Sequence, residues 1–220
     1  MRVLCVSIEA SGDRLLASIL RTLKKVHKEP IELLGVGGIK SQAEGLSSIM
    51  NPHLLAAHGF TEALGVLFIT IKVYLQLKRL ATDVNLCIFV DAPEINMRLL
   101  KWMKSHRTSS IRETKIIYVA PPQAWAWRPK RVRTIALADE VICLFDFEKE
   151  WMKSQGVNTQ YIGHPLAIKR SLRLSEWRQV YPSLDRPLVI AFFPGSRASS
   201  VRHTFLLGLL SIAYFTQRKS

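Results

Sequence analysis

Cysteine is scarce in this chain: Cys5, Cys87 and Cys143 are the only three among 220 residues, and none forms a CxxC pair. Their wide spacing inside apolar runs excludes a disulfide scaffold and a zinc ribbon, and it suits a reducing compartment. Glycine and proline are also few, 11 and 10 residues, which excludes fibrous and low-complexity classes. No long uninterrupted apolar run occurs. The richest stretch, Leu54 to Leu77, is broken by His58, Glu62 and Lys72, short of the roughly 20 apolar residues a membrane-spanning helix needs; contact with a membrane surface fits it better. The opening MRVLCVSIEASGD reaches Glu9 and Asp13 before an apolar core develops, so no secretory signal is predicted and a cytosolic start is expected.

Acidic residues are the other scarcity, 17 against 31 Lys and Arg, a net charge of +14. The excess concentrates between Arg98 and Arg133, where ten basic residues meet one acid, Glu113. Such a field attracts an anionic partner, or else forms a solvated basic face. Nucleic acid and anionic lipid are the two specific candidates. The chain carries no recognition-helix, zinc-finger or RNP-like pattern, which disfavours nucleic acid.

What is abundant is apolar residue, 48% of the chain, arranged in short β-rich runs alternating with helical patterns. Val3–Ser7, Ile31–Val36, Leu86–Val90, Ile116–Ala120, Glu140–Leu144 and Thr159–Ile162 read as buried strands. Helical spacing falls near Asp13–Val26, Thr61–Leu80, Glu94–Lys104, Pro129–Ala138 and Phe147–Gln155. This rhythm predicts an α/β domain built on a doubly wound parallel sheet covered on both faces. The predicted organisation is a Rossmann-like domain over 1–165, a connector over 166–187, and over 188–220 the partial start of a second domain: a strand Leu188–Phe193 and a helix from about Ser199 to Tyr214. One strand and one helix cannot enclose a core.

In open parallel sheets, ligands gather beyond the carboxyl ends of the strands, so the residues just after each strand are the candidates. After the first strand come Glu9, Ser11, Gly12 and Asp13. Gly12 suits a tight turn, Ser11 or Asp13 suits a helix cap, and Glu9 suits a polar substrate contact. The spacing is not that of a GxGxxG dinucleotide site. After LCIFV come Asp91, Ala92, Pro93, Glu94, Ile95 and Asn96; Asp91 reads either as a general base or as a helix N-cap. Next stands APPQAWAWRPKR, where Trp125, Trp127 and Arg128 join apolar surface to cationic charge, suited to a sugar ring or a lipid phosphate. His164, in Gly163-His164-Pro165, reads as a polar contact or a turn residue. Gly195, Ser196 and Arg197, in FPGSR, read as a phosphate cradle without the Gly-Lys-Ser/Thr ending of a Walker loop.

Taken in order, SIEASGD, GVGG with QAEGL, AHGFTEALG, VDAPEIN, YVAPPQAWAWRPKR, FEKEW, YIGHPL and FPGSR resemble the lipid-A-disaccharide synthase family over nearly the whole chain. The resemblance implies a two-lobed GT-B inverting glycosyltransferase that works without a cofactor or a required metal. It implies transfer of 2,3-diacylglucosamine from UDP-2,3-diacylglucosamine to 2,3-diacylglucosamine 1-phosphate, giving the β-1,6 disaccharide of lipid A and UDP. Asp91 is then the base, with Glu9 beside it. Ser11, Gly12, Asp13, Asn96, Trp125, Trp127, Arg128 and His164 are expected on the acceptor side, and Gly195, Ser196 and Arg197 near the donor phosphates.

The resemblance also implies a cytoplasmic protein held peripherally at an anionic inner-membrane surface, with self-association left open. The family's second lobe carries a Ser-Gly-Thr-rich turn and a ribose-binding Glu, neither of which has a counterpart between Phe193 and Ser220. Two expectations therefore stand side by side: the acceptor half of such an enzyme, or an inactive lobe that binds anionic acylated sugar lipids. Ile8 and Ala10 around Glu9, His58, Asp146 and Ser200 depart from the family's usual residues.

Overall fold

The computed structural model describes residues 1–52, 63–106, 114–165, 167, 176, 177, 179, 190–195 and 198–217. The chain divides into two compact units, Met1–Ala167 and Ile168–Ser220.

The first unit is a sheet of seven parallel strands: β1 (Arg2–Val6), β2 (Glu32–Val36), β3 (Ser47–Ser48), β4 (Leu86–Val90), β5 (Lys115–Val119), β6 (Glu140–Cys143) and β7 (Thr159–Tyr161). Their spatial order is β3-β2-β1-β4-β5-β6-β7. The helices are α1 (Ala10–Val26), α2 (Ile39–Ala43), α3 (Ala63–Leu80), α4 (Pro93–Ser105), α5 (Val132–Ile135, after a 3-10 turn at Pro129–Arg131) and α6 (Asp146–Ser154). This is the α/β, doubly wound parallel architecture the apolar rhythm predicts. Its two cores follow from the two-residue period of a strand. Val3, Cys5, Leu33, Ile88 and Val90 pack with Leu16 and Leu20 of α1 on one face. Leu4, Val6, Leu34, Cys87, Phe89 and Tyr118 pack with Leu77 of α3 and Leu99 of α4 on the other. Phe89 and Tyr118 meet edge to face, centroids 6.2 Å apart, an arrangement worth about 0.5–1.5 kcal/mol beyond the area it buries.

Several expectations are corrected. The strand β3 and the helix α2 were not foreseen: two residues of strand and five of helix are too short to show a period. The helix α1 begins at Ala10, three residues before Asp13, with Glu9 at the N-cap and its carbonyl accepting from the Asp13 amide at 2.8 Å. A continuous helix over Pro129–Ala138 is replaced by a 3-10 turn and a single α turn. Thr61 and Glu62 of the expected helix Thr61–Leu80 lie outside the described residues.

In the second unit, residues 190–193 of the expected strand Leu188–Phe193 are not in a strand, and Leu188 and Val189 lie outside the described residues. A helix, α7 (Ala198–Gln217), follows, with Gly208 against the ring of Phe192. The expected connector over 166–187 lies largely outside the described residues.

Candidate functional site at the carboxyl edge of the sheet

The strand order reverses direction between β1 and β4, since the chain builds outward from β1 to β2 and β3 and then crosses to β4. A crevice opens at such a switch point. The residues leaving β1 and β4 are Ser7 to Asp13 and Asp91 to Asn96, so the two acidic candidates Glu9 and Asp91 follow adjacent strands. Both are half-buried.

Asp91 sits in an unusual backbone. Asp91 and Ala92 have φ of 50° and 45°, Ala120 at the tip of β5 has 51°, and Arg128 has 54°. Left-handed conformation in a non-glycine residue is costly, and it persists where surrounding bonds over-determine it. Those bonds are present. The Asp91 amide donates to Val119 O at 3.1 Å, and the Asp91 carbonyl accepts from Asn96 Nδ2 at 2.8 Å and from the Tyr118 hydroxyl at 2.9 Å. The reading of Asp91 as an N-cap is corrected: Ala92 occupies that position, and no side chain caps α4. The Asp91 backbone is therefore held in a bonded turn ahead of the helix.

Burial pushes the Tyr118 phenol well above its usual range, with the Asp91 charge adding to the effect. A neutral hydroxyl is what the hydrogen bond to Asp91 requires. Neither Tyr118 nor its role was singled out from sequence; within KIIYV it reads only as one more inward strand residue.

Three residues expected to touch substrate have other partners. Asn96 is fully buried, and its amide holds the Asp91 carbonyl. Gly12 lies inside α1, where a Cβ would come 2.6 Å from Ser7 Oγ; it permits close helix–strand approach, not a tight turn. Asp13 does not cap its own helix. Its carboxylate accepts from Gly38 N at 2.9 Å, Lys40 N at 3.0 Å, Ser41 N at 3.0 Å and the Ser41 hydroxyl, and so fixes the loop that begins α2. A Cβ on Gly38 would strike that carboxylate at 2.5 Å. Ser11, by contrast, is exposed.

Beyond β5 the tryptophans are on the surface: Trp127 is 56% exposed and Trp125 38%. The guanidinium of Arg128 lies 4.3 Å from the Trp127 ring centroid and that of Arg131 lies 5.3 Å away, cation–π distances. Trp125 meets Phe147 edge to face at 4.9 Å, Phe147 stacks on Phe145 at 5.5 Å, and Phe145 stacks on His164 at 5.5 Å. This aromatic row joins the tips of β5, β6 and β7. Phe145 and Phe147 were missed from sequence, because FDFEKEW reads simply as a helix start. Beneath the row Glu148 is 2% exposed and accepts from Leu144 N at 3.1 Å.

Gly195 has φ of 100°; Ser196 and Arg197 lie outside the described residues.

The family described as lipid-A-disaccharide synthetase matches residues 3–217. The chain belongs to the lipid-A-disaccharide synthetase family. It is 36% identical over 213 residues to lipid-A-disaccharide synthase 1 of Legionella pneumophila (strain Lens), covering 94% of this chain and 54% of that relative. Against the lipid-A-disaccharide synthase of Azotobacter vinelandii (strain DJ), it is 36% identical over 206 residues, 91% of this chain and 52% of the relative. Against that of Chlamydia pneumoniae, it is 34% identical over 198 residues, 88% and 32%. The chain thus spans about half the length of the Legionella and Azotobacter synthases. The matched stretch includes Glu9, Asp91 and the whole carboxyl edge of the sheet.

Proposed function

We propose that this chain supplies the acceptor-binding, base-carrying lobe of a lipid-A-disaccharide synthase. The reaction moves 2,3-diacylglucosamine from UDP to the 6-hydroxyl of 2,3-diacylglucosamine 1-phosphate, forming the β-1,6 disaccharide and UDP. The observation that carries this reading is the Asp91 turn: a half-buried carboxylate at the switch point of the sheet, on backbone held left-handed by Tyr118 and Asn96, in a chain of this family.

In this reading Asp91 takes the proton from the acceptor 6-hydroxyl as its oxygen attacks the anomeric carbon. The anomeric carbon–oxygen bond to UDP breaks on the opposite face, which inverts the configuration. Glu9 and Ser11 orient acceptor hydroxyls, while Gly12, Asp13 and Asn96 act through the backbone they hold. Trp125, Trp127, Arg128 and His164 offer stacking faces and positive charge to the acylated sugar. Gly195, Ser196 and Arg197 are assigned to the donor phosphates.

The test is a fusion of this chain to the remaining half of the Azotobacter synthase, supplied with both substrates. Disaccharide and UDP should appear in equal amounts, and Asp91→Asn should lower turnover by about 10²–10⁴-fold. Near-normal turnover in that variant removes Asp91 as the base.

A second observation favours peripheral association with an anionic, cytoplasm-facing inner-membrane surface. Phe68, Ile71 and Leu75 of α3 are 49–76% exposed, Trp127 is flanked by Arg128 and Arg131, and among the described residues no helix is long and apolar enough to cross a membrane. Binding to vesicles containing anionic lipid should weaken as salt rises; salt-independent binding rejects the electrostatic part.

A further inference from the structure

A cavity of about 190 Å³ lies at the tips of β1 and β2, β1 being the strand next to the one Asp91 follows. Ile8, Ile39 and Pro52 give its lining apolar surface, and Glu9, Arg14 and Lys40 give it charge. Arg14 and Lys40 come from different helices, α1 and α2. Both are exposed, and neither side chain has an ion-pair partner among the described residues. The other cations of α1 show the contrast: Arg21 and Lys24 are both paired with Glu44.

One of the two acids that line the cavity is already satisfied. Asp13 lines the same cavity, but its carboxylate is saturated by three amides and the Ser41 hydroxyl. Those bonds also hold Lys40 in place, since one of the amides is its own. Counting Glu9, Arg14 and Lys40, the cavity keeps a net positive charge. A pocket lined by both apolar side chains and two cations fits a compact anion attached to an organic body.

From this we infer that Arg14 and Lys40 form the subsite for the 1-phosphate of the acceptor sugar. The inference rests on the acceptor-lobe reading above and deepens it. Asp91 follows β4, and the cavity follows β1 and β2; two strand steps across a sheet are about 10 Å. In a hexosamine 1-phosphate the anion on C1 and the 6-hydroxyl arm on C5 leave the ring on either side of the ring oxygen, several ångströms apart. Seating the phosphate between Arg14 and Lys40 lets that arm extend toward the β4 side of the sheet, where Asp91 stands, and leaves Glu9 to accept from a ring hydroxyl or the amide. Arg14 gives planar, paired donors to phosphate oxygens and Lys40 a mobile point charge. No bond is made or broken at this subsite; it sets which end of the acceptor faces the base.

The experiment is a titration of the full 220-residue chain with glucosamine 1-phosphate, followed by amide chemical shifts. N-acetylglucosamine and inorganic phosphate serve as separate probes. The sugar phosphate should perturb Gly38, Ile39, Lys40 and Arg14, and the double variant Arg14→Gln, Lys40→Gln should bind it about tenfold or more weakly. Lys25→Gln, an exposed change in the last turn of α1, should leave that affinity unchanged. If the double variant retains full affinity and the shifts fall at the tips of β4 and β5, this subsite is wrong while the acceptor reading stands. If inorganic phosphate binds as tightly as the sugar phosphate, the site is a general anion site and the assignment fails. If no probe perturbs the carboxyl edge of the sheet, both readings fail. Thermal melts of each variant separate lost binding from lost folding.

Discussion

The hydroxyl of Tyr118 donates to the backbone carbonyl of Asp91 at 2.9 Å, tying the strand β5 to the turn that follows β4. The bond reaches across 27 residues of chain and shares its acceptor with Asn96. Two buried donors converge on one carbonyl of a residue whose φ is 50°. The backbone conformation of the Asp91 turn is thus held by two buried side chains from α4 and β5.

Tyr118→Phe removes one of the two donors and keeps the ring in the core. A loss of about 1 kcal/mol of stability is expected, together with a fall in turnover of the fused enzyme while the KM for the acceptor holds. Asn96→Ala removes the shorter bond and leaves a cavity, so about 2–3 kcal/mol is expected. Denaturant melts and steady-state kinetics read both. Full activity in both variants would show that the turn keeps its shape without them.

Asp13→Ala strips the start of α2 of all four of its bonds to that carboxylate. The buried amides of Gly38 and Ser41 then lose their acceptor, and about 2–4 kcal/mol of stability should go with them. Urea unfolding measures it; a change under 0.5 kcal/mol would mean that water replaces the carboxylate.

Gly12→Ala places a methyl group 2.6 Å from Ser7 Oγ, inside the packing of α1 on β1. Overpacking of this kind costs about 1–3 kcal/mol. Ser7→Ala removes the obstructing oxygen, which has no hydrogen-bond partner among the described residues, so the double variant should recover most of the loss. A double-mutant cycle with no coupling rejects the contact.

Glu148 predicts a pH dependence. Burial holds its carboxyl above the ordinary value of 4.5, against the opposing pull of the Leu144 and Phe145 amides and the Trp125 indole. Between 4.5 and the higher folded value, the folded chain keeps a proton that the unfolded chain has released. The associated stability is therefore complete below 4.5 and is lost as pH rises through the folded value. Glu148→Gln, neutral at every pH, should melt higher than the parent chain at neutral pH, and the gap should close in acid. A gap independent of pH would show that the carboxyl is not the cause.

Much of the sheet was legible because its central strands β1, β2 and β4 are buried on both faces, and so read as short apolar runs between helical patterns. The carboxyl-edge position of Asp91, Glu9 and the tryptophans followed from that alone. The division of labour among them did not. Asp13, Gly12 and Asn96 stand beside Glu9 and Asp91 in sequence and carry similar polarity, yet they serve α2, the β1–α1 contact and the Asp91 turn. Tyr118, Phe145, Phe147, Arg14 and Lys40 carried no signal, since nothing local separates an inward tyrosine or a cavity-lining lysine from any other.

Sequence by itself determined the α/β class, the seating of the main strands, and the run of motifs that places the chain in its family, because periodicity and motif order are properties of the chain taken in line. Tertiary structure decided which polar groups are spent on backbone and which remain for a ligand. That choice depends on hydrogen bonds between residues 25 to 28 positions apart, as from Asp13 to the start of α2 and from Asp91 to Tyr118. Only folding brings such donors to their acceptors, and a buried polar group has no alternative partner once water is gone.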